Sequence, residues 1–456
     1  MTARSPESHH RGPLDGFLSL FTDVRSGEGP TALLLMANAF ILLFAYYLLK
    51  PLREGLILGE FSAEAKSMAA AVMAVVLVFF VPLYSAIASR VDRIRLVTWV
   101  TLFFVLDLVV FFVLGRAGVQ EGIAFFVWVG IFNLMIVAQF WAFANDVYTP
   151  EAGRRLFAIV GFGSAAGAAI GPLVAGPLVK RFGLYVPMLV AGGLLLVSIV
   201  LFRIIHAREH VARAGRGQPV ADNQPIAGSG AFRLVFSQRY LLLIALLMLV
   251  YNCVNTNGEF ILGKTVKALA HAQAPPGTDP ESFEKLKITE FYSGFFLWVN
   301  ILTAVIQLFL VGRIFKWFGV RVALFVLPLL ALGGYTLIAI APVLSLIRGV
   351  KIAENATDYS LQSTARQALF LPTSREAKYK AKAAIDSFFV RMGDVLSWGF
   401  VSLATVLALT PGRFAVINIG LVLVWLGLVV GIVREHRKLA GENESAAPAG
   451  AAVAAS

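Results

Sequence analysis

Residues Ile347 to Phe370 read IRGVKIAENATDYSLQSTARQALF, with apolar runs on either side. The surrounding pattern calls for a membrane-spanning helix here, yet the stretch carries Arg348, Lys351, Glu354, Asn355, Asp358 and Arg366. An arginine, lysine or aspartate near the bilayer centre costs about 2.5–3.5 kcal/mol, so several on a lipid face would cancel most of a span's apolar gain. These side chains must therefore face protein or water. At about 100° per residue, Arg348, Lys351, Asn355, Asp358, Gln362 and Arg366 fall within roughly one quarter of the circumference. Gly349, Ala353, Ala356 and Ser360 lie elsewhere on the helix and suit contact with neighbouring helices. The expectation is a helix that lines a water-filled cavity.

The rest of the chain sets the context. Hydrophobic residues make up 58% and charged residues 14% of the 456 positions, and the mean hydropathy is +0.78, far above a soluble domain. Apolar runs long enough to cross a hydrocarbon core of about 30 Å recur almost throughout, and an open chain satisfies its backbone there only as helix. Spans are expected near 31–50, 67–89, 96–115, 122–145, 155–179 and 184–204, then near 240–263, 289–312, 321–341, 343–368, 383–409 and 414–433. The expected class is an all-α membrane protein with twelve transmembrane helices in two pseudo-symmetric six-helix bundles. The corresponding division is an N-terminal tail (1–30), a first bundle (31–205), a basic linker (206–238), a second bundle (239–434) and a disordered, Ala/Gly-rich tail (435–456). Residues 1–30 lack the pattern of a cleavable signal peptide, so the first span is expected to remain.

A net charge of +12 could suggest nucleic acid, but the positive residues cluster in alternate loops. Arg90 to Arg95, Arg154 and Arg155, Arg203 to Arg239, Arg313 to Arg321, Arg375 to Lys382 and Arg434 to Lys438 all fall inside if both termini are cytoplasmic. The positive-inside rule thus accounts for them, and the expectation is a multi-pass protein of the cell (inner) membrane with no nucleic-acid partner. Lys180, Arg181, Lys264, Lys267, Lys285 and Lys287 fall outside on this topology. Cys253 is the single cysteine, so no internal disulfide can form.

The two halves look duplicated. Tyr47 and Gly59 (REGLILGE) match Tyr251 and Gly263 (NGEFILGK) at a common offset of 204 residues, and SRVDR ending at Arg93 aligns with GRIFK ending at Lys316 at an offset of 223. An insertion within His271 to Lys287 reconciles the two offsets. Six plus six helices around a basic central loop resemble the major facilitator superfamily, as does GAAIGPLVAGPL (Gly167 to Leu178), which is similar to that superfamily's glycine-proline motif in helix five. Small residues at four-residue spacing bring helices close, and Pro172 and Pro177 bend the span. The resemblance implies that helices one, four, seven and ten line a central cavity. Those helices carry Lys50, Arg53 and Glu54; Gln139, Asn145 and Asp146; Asn252, Asn255, Asn257 and Glu259; and the stretch quoted above. Arg and Lys in excess of paired carboxylates favour an anionic ligand, and guanidinium forks suit phosphate or carboxylate oxygens. Mutual ion pairing within the bundle is the plainer role for any one of these groups.

Three segments resemble the ATP:ADP antiporter family, the nucleotide transporters of plastids and intracellular bacteria. They are YYLLKPLREGLIL (Tyr46 to Leu58), FWAFANDVYTPEAGRRLF (Phe140 to Phe157) and KYKAKAAIDSFFVRMGD (Lys378 to Asp394). The resemblance implies transport of a phosphorylated anion, with Arg53 standing where the family has a functional lysine, Lys382 at a position important for nucleotide transport, and Glu259 matching a functional glutamate in helix seven. No acid stands near Val129 to Asn133, where the family has one, and Gly393 to Leu396 replaces a Gly-Lys-Ser-Gly step. The expected ligand-holding set is Lys50, Arg53, Asn145, Glu259, Arg348, Lys351, Asp358, Arg366 and Lys382.

The absence of a GxxxxGK[ST] pattern removes the signature of ATP hydrolysis, and none of the six histidines forms a metal-binding spacing, so neither an enzyme nor a cofactor is expected. The expected function is secondary transport of an anionic phosphorylated solute, foremost ATP/ADP exchange by alternating access. The alternatives are a proton-coupled antiporter of another organic solute, with Glu259, Glu354 or Asp358 carrying the proton, and a transport-inactive membrane scaffold or sensor.

Overall fold

A computed structural model of the chain describes residues 28–88, 91–148, 150–214, 231–370 and 381–445, together with Arg25, Thr373, Ser374 and Ala377. Ten helical segments among these residues are long and apolar enough to cross a membrane. One of them, Pro280–Ile340, reverses at Gly319, whose backbone (φ 74°, ψ 170°) only glycine adopts readily, and so makes two crossings. The polar helix beginning at Leu344 falls outside that composition and makes up twelve passes among the described residues.

In order, the first six spans are Gly29–Glu60, Ala63–Ala88, Arg93–Arg116, Gly122–Val147, Pro150–Phe182 and Val186–Ala214. A short helix, Ala231–Ser237, leads directly into the seventh span, Arg239–Ala272. The eighth begins at Pro280 under an Asp279 cap, whose carboxylate accepts from the Ser282 backbone N–H at 3.2 Å. The ninth runs on from Gly319 to Ile340, the tenth from Leu344 to Leu369, the eleventh from Lys382 to Val406, and the twelfth from Pro411 to Ser445. Each helix overruns its expected span at one end or both. The sixth continues as helix to Ala214, well into the expected linker, and the twelfth passes Glu435 to end at Ser445, where a disordered tail was expected. Most of residues 1–30 and the linker's middle lie outside the described residues.

The chain divides into two compact units. One comprises residues up to Leu56, Pro82–Asp222 and Lys285–Leu297; the other comprises Ile57–Val81, Asn223–Glu284 and Trp298 onward. The first unit is built on close helix approach. A Cβ added to Gly163 would stand 2.2 Å from the Met36 carbonyl oxygen, one on Gly167 2.3 Å from that of Phe40, and one on Gly171 2.7 Å from the Tyr47 Cβ. The fifth span thus lies backbone-to-backbone on the first through three glycines at four-residue spacing. Between the third and fourth spans of the same unit, Phe104, Phe125, Trp128 and Phe132 form an aromatic core, with Trp128 and Phe132 stacked at 5.2 Å.

In the second unit the seventh span sits against the tenth, eleventh and twelfth. Its Asn257 is fully buried, donates to Asn418 at 2.9 Å and accepts from Ser397 at 2.7 Å, so three helices share one satisfied polar knot.

The glycine contact makes a direct prediction. Gly167→Ala should lower the thermal midpoint of the detergent-solubilised protein, since overpacking costs about 1–3 kcal/mol. Gly161→Ala, whose Cβ would meet nothing within 4 Å, should leave it unchanged. Equal midpoints for the two variants would mean that the first and fifth spans are not in backbone contact.

Candidate functional site

The polar face of the tenth span resolves into two clusters. The first centres on Lys351, whose side chain has no exposed surface. Its ammonium donates to Glu354 at 2.9 Å and to the Asn255 side chain at 2.9 Å, and lies 3.6 Å from Glu259. Glu354 in turn accepts from the Tyr335 hydroxyl at 3.1 Å, and Asn355 donates to Glu259 at 3.2 Å. Lys66, in the second span, stands 3.9 Å from the other Glu259 oxygen. Two cations and two carboxylates therefore offset one another in a region where an unpaired charge would be very costly. Gly258 makes the approach feasible, because a Cβ there would fall 2.1 Å from the Tyr335 hydroxyl and 3.0 Å from the Lys351 nitrogen.

The second cluster lies about two turns further along. Between Asp358 and Gln362 the helix widens into a π-turn, so the simple 100° phase breaks before Arg366. Asp358 accepts a 2.5 Å hydrogen bond from the Tyr251 hydroxyl and lies 3.6 Å from the Arg366 guanidinium. Arg366 also covers the Tyr251 ring at 5.1 Å. It opens onto a cavity of about 310 Å³, bordered also by Asn252, Gln367, Phe370, Lys382 and Asp386. Lys382 donates to Gln367 across this space. A second π-turn, Ile385–Phe389, carries Asp386 to the cavity. The Asn252 amide nitrogen donates to the Val390 carbonyl at 2.7 Å and to Asp394 at 2.8 Å.

The expected continuous, water-lined face is therefore corrected in part. Lys351, Glu354, Asn355, Asp358 and Gln362 are all buried, sealed by the seventh and ninth spans, and Arg366 is the charged group from this helix that borders the cavity, beside Gln367. The reason is charge balance. The helix carries its own carboxylates, Glu354 one turn from Lys351 and Asp358 about two turns from Arg366, and these neutralise it without water.

Of the expected set, Glu259, Lys351, Asp358, Arg366 and Lys382 gather in this unit, with Arg348 half-buried at the start of the same helix. Lys50, Arg53 and Asn145 belong to the other unit. There Arg53 forms a two-point pair with Glu54 at 2.5 and 3.1 Å and stacks on Phe126 at 4.6 Å. Lys50 lies beneath aromatic faces, 4.1 Å from the Phe296 ring centre and 5.0 Å from that of Tyr47. Asn145 is exposed near the end of the fourth span. Sequence reasoning missed Tyr335, Gln367 and Phe370 as members of the site. A tyrosine alone in the apolar ninth span was the available signal for the first; nothing marked the other two.

The comparisons with known proteins follow this geometry. A family profile described as Major Facilitator Superfamily matches residues 32–353. The ADP,ATP carrier protein 1 of Chlamydia pneumoniae is 24% identical over 344 residues, covering 64% of this chain and 63% of the carrier. The match thus spans less than two thirds of that relative's length. The ADP,ATP carrier protein 5 of Rickettsia felis is 22% identical over 507 residues, covering 93% of this chain and 98% of the carrier. Among solved structures, a POT family transporter in complex with a thioalcohol-conjugated peptide superposes with a TM-score of 0.63 at 13% identity, covering 94% of this chain and 98% of that one. The nucleoside transporter NupG gives 0.61 at 12% identity, over 90% and 99%. At such identities the superpositions speak for the fold alone.

The Lys351 cluster carries a stability prediction. Lys351→Met should destabilise the protein by about 3–5 kcal/mol, because buried Glu354 and half-buried Glu259 lose their nearest cation. Adding Glu354→Gln should recover part of the loss in the same unfolding measurement. Equal stability of the single and double variants would show that the two residues do not act as a pair.

Proposed function

The chain belongs to the Major Facilitator Superfamily, and from that premise we propose that it is a secondary transporter of an anionic phosphorylated solute, foremost ATP in exchange for ADP, by alternating access. The observation that carries this reading is the cavity in the second unit, where Arg366 and Lys382 stand against a single bordering carboxylate, Asp386. Two cations beside amide groups at Asn252 and Gln367 suit phosphate oxygens, which take several charge-assisted hydrogen bonds at once. The cavity volume lies near the lower end of the range for small-molecule sites, about 300–1,000 Å³. The similar chlamydial and rickettsial proteins named ADP,ATP carriers support nucleotide as the cargo.

On this reading Arg366 and Lys382 receive phosphate directly, while Arg348 supplies positive potential from the same helix and the charge-balanced Lys351 holds that helix in place. Asp358 holds Arg366 when no anion is present, while Glu259 stays paired with the sealed Lys351. Lys50 and Arg53 would supply the corresponding charge in the other unit, with Asn145 as a polar contact. The nucleotide is cargo rather than fuel, and no catalytic step is involved. The protein would sit in the inner membrane with both termini in the cytoplasm.

A second reading, proton-coupled exchange of another organic solute, draws on Glu259 and Glu354 sharing Lys351. Protonation of either would loosen that cluster, and such an antiporter would respond to an imposed pH gradient.

The deciding experiment is uptake of labelled ATP into proteoliposomes with and without internal ADP. Uptake that depends on internal ADP is expected, and Arg366→Ala or Lys382→Ala should reduce it at least tenfold, the effect of losing about 1.4 kcal/mol of charge-assisted binding. Uptake driven by a pH gradient and indifferent to ADP would favour the proton-coupled reading. Wild-type rates in both variants would remove the cavity from the transport path.

A further inference from the structure

The short helix Ala231–Ser237 has no role in the site described above, yet its surface is unusual. Leu234 and Val235 are buried against the protein, whereas Phe232 and Phe236, four residues apart on one face, are 46% and 63% exposed. Their rings meet Phe388 and Phe389, with Phe232 edge-on to Phe388 at 5.1 Å. Arg233 and Arg239 flank this aromatic patch and are exposed, Arg239 reaching Glu435 at 3.7 Å.

The position of this helix relative to the bilayer follows from the chain. Only Gln238 separates it from the seventh span, so it lies where that span leaves the membrane. Because spans cross alternately, Arg313 to Arg321 and Arg434 to Lys438 emerge on the same side. Trp317 and Phe318 are also exposed there, beside Lys316 and Arg321, in the manner of an interfacial aromatic belt. On the opposite side of this unit lysines are met by acids, with Lys264 at 2.8 Å from Glu64 and Lys267 at 3.8 Å from Glu284. The uncompensated positive field thus lies with the short helix. The connector from His206 to Arg239 strengthens it, with five arginines against two acidic residues.

We propose that Ala231–Ser237 is an interfacial anchor that binds anionic phospholipid, with Phe232 and Phe236 set into the headgroup boundary and Arg233 and Arg239 contacting lipid phosphates. An aromatic pair with flanking arginines matches how amphipathic surface helices hold anionic bilayers. The anchor fixes the connector between the two halves of the sequence to the membrane surface, whatever solute is carried.

Hydrogen exchange of the full-length protein tests this, in nanodiscs of phosphatidylcholine alone and of phosphatidylcholine mixed with phosphatidylglycerol. Amides of residues 232–238 should exchange several-fold more slowly in the mixed discs, and added salt should shrink the difference. Arg233→Gln with Arg239→Gln should abolish it while the seventh span keeps its protection, and Phe232→Ser with Phe236→Ser should speed exchange in both lipids. Equal wild-type exchange in the two lipids, or a lipid effect indifferent to salt, would overturn the assignment even if the arginine variant failed to fold.

Discussion

A lysine with no exposed surface sits in a membrane helix and must remain neutralised, and the second unit is arranged around that requirement. Lys351 is met from its own helix by Glu354 and from the seventh span by Glu259 and Asn255, and Tyr335 of the ninth span completes the shell around Glu354. Removing one member exposes the others to the penalty of burial, so the five groups constrain three helices at once. Gly258 follows from this, since no other residue leaves room for Tyr335 and Lys351 together.

The same constraint explains what was legible beforehand. The number of passes, the polarity of the tenth span and the close fifth span could all be read from residue types, because the cost of charge in hydrocarbon and the reach of glycine act locally in sequence. The partner of each charge was not legible. Glu354 lies one turn from Lys351, but Tyr335 and Glu259 come from distant spans and only the fold brings them together. The π-turn at Asp358–Gln362 was equally invisible, and it breaks the helical phase on which the continuous polar face depended. Phe370 and Gln367 were not legible as cavity residues either, because their neighbours Lys382 and Asp386 belong to the next span and only the fold brings them together.

Two kinds of ion pair now separate by setting. The Lys351 cluster is sealed and serves the fold. The Arg366–Asp358 pair is looser at 3.6 Å, shares its carboxylate with Tyr251, and borders open volume. An arriving phosphate could take Arg366 without leaving Asp358 bare, because the tyrosine hydroxyl continues to donate to it. In the proposed function this competition is central: the carboxylate occupies the cation when the cavity is empty and yields it to the anion.

The most direct test is the affinity of the purified protein for ADP, measured by calorimetry for the wild type and for Asp358→Asn, which keeps an acceptor for Tyr251 but removes the charge that holds Arg366. Competition between carboxylate and phosphate predicts several-fold tighter binding by the variant. Unchanged or weaker binding in a folded variant would contradict it, and would make Asp358 a structural partner of Arg366 rather than the group that the anion displaces.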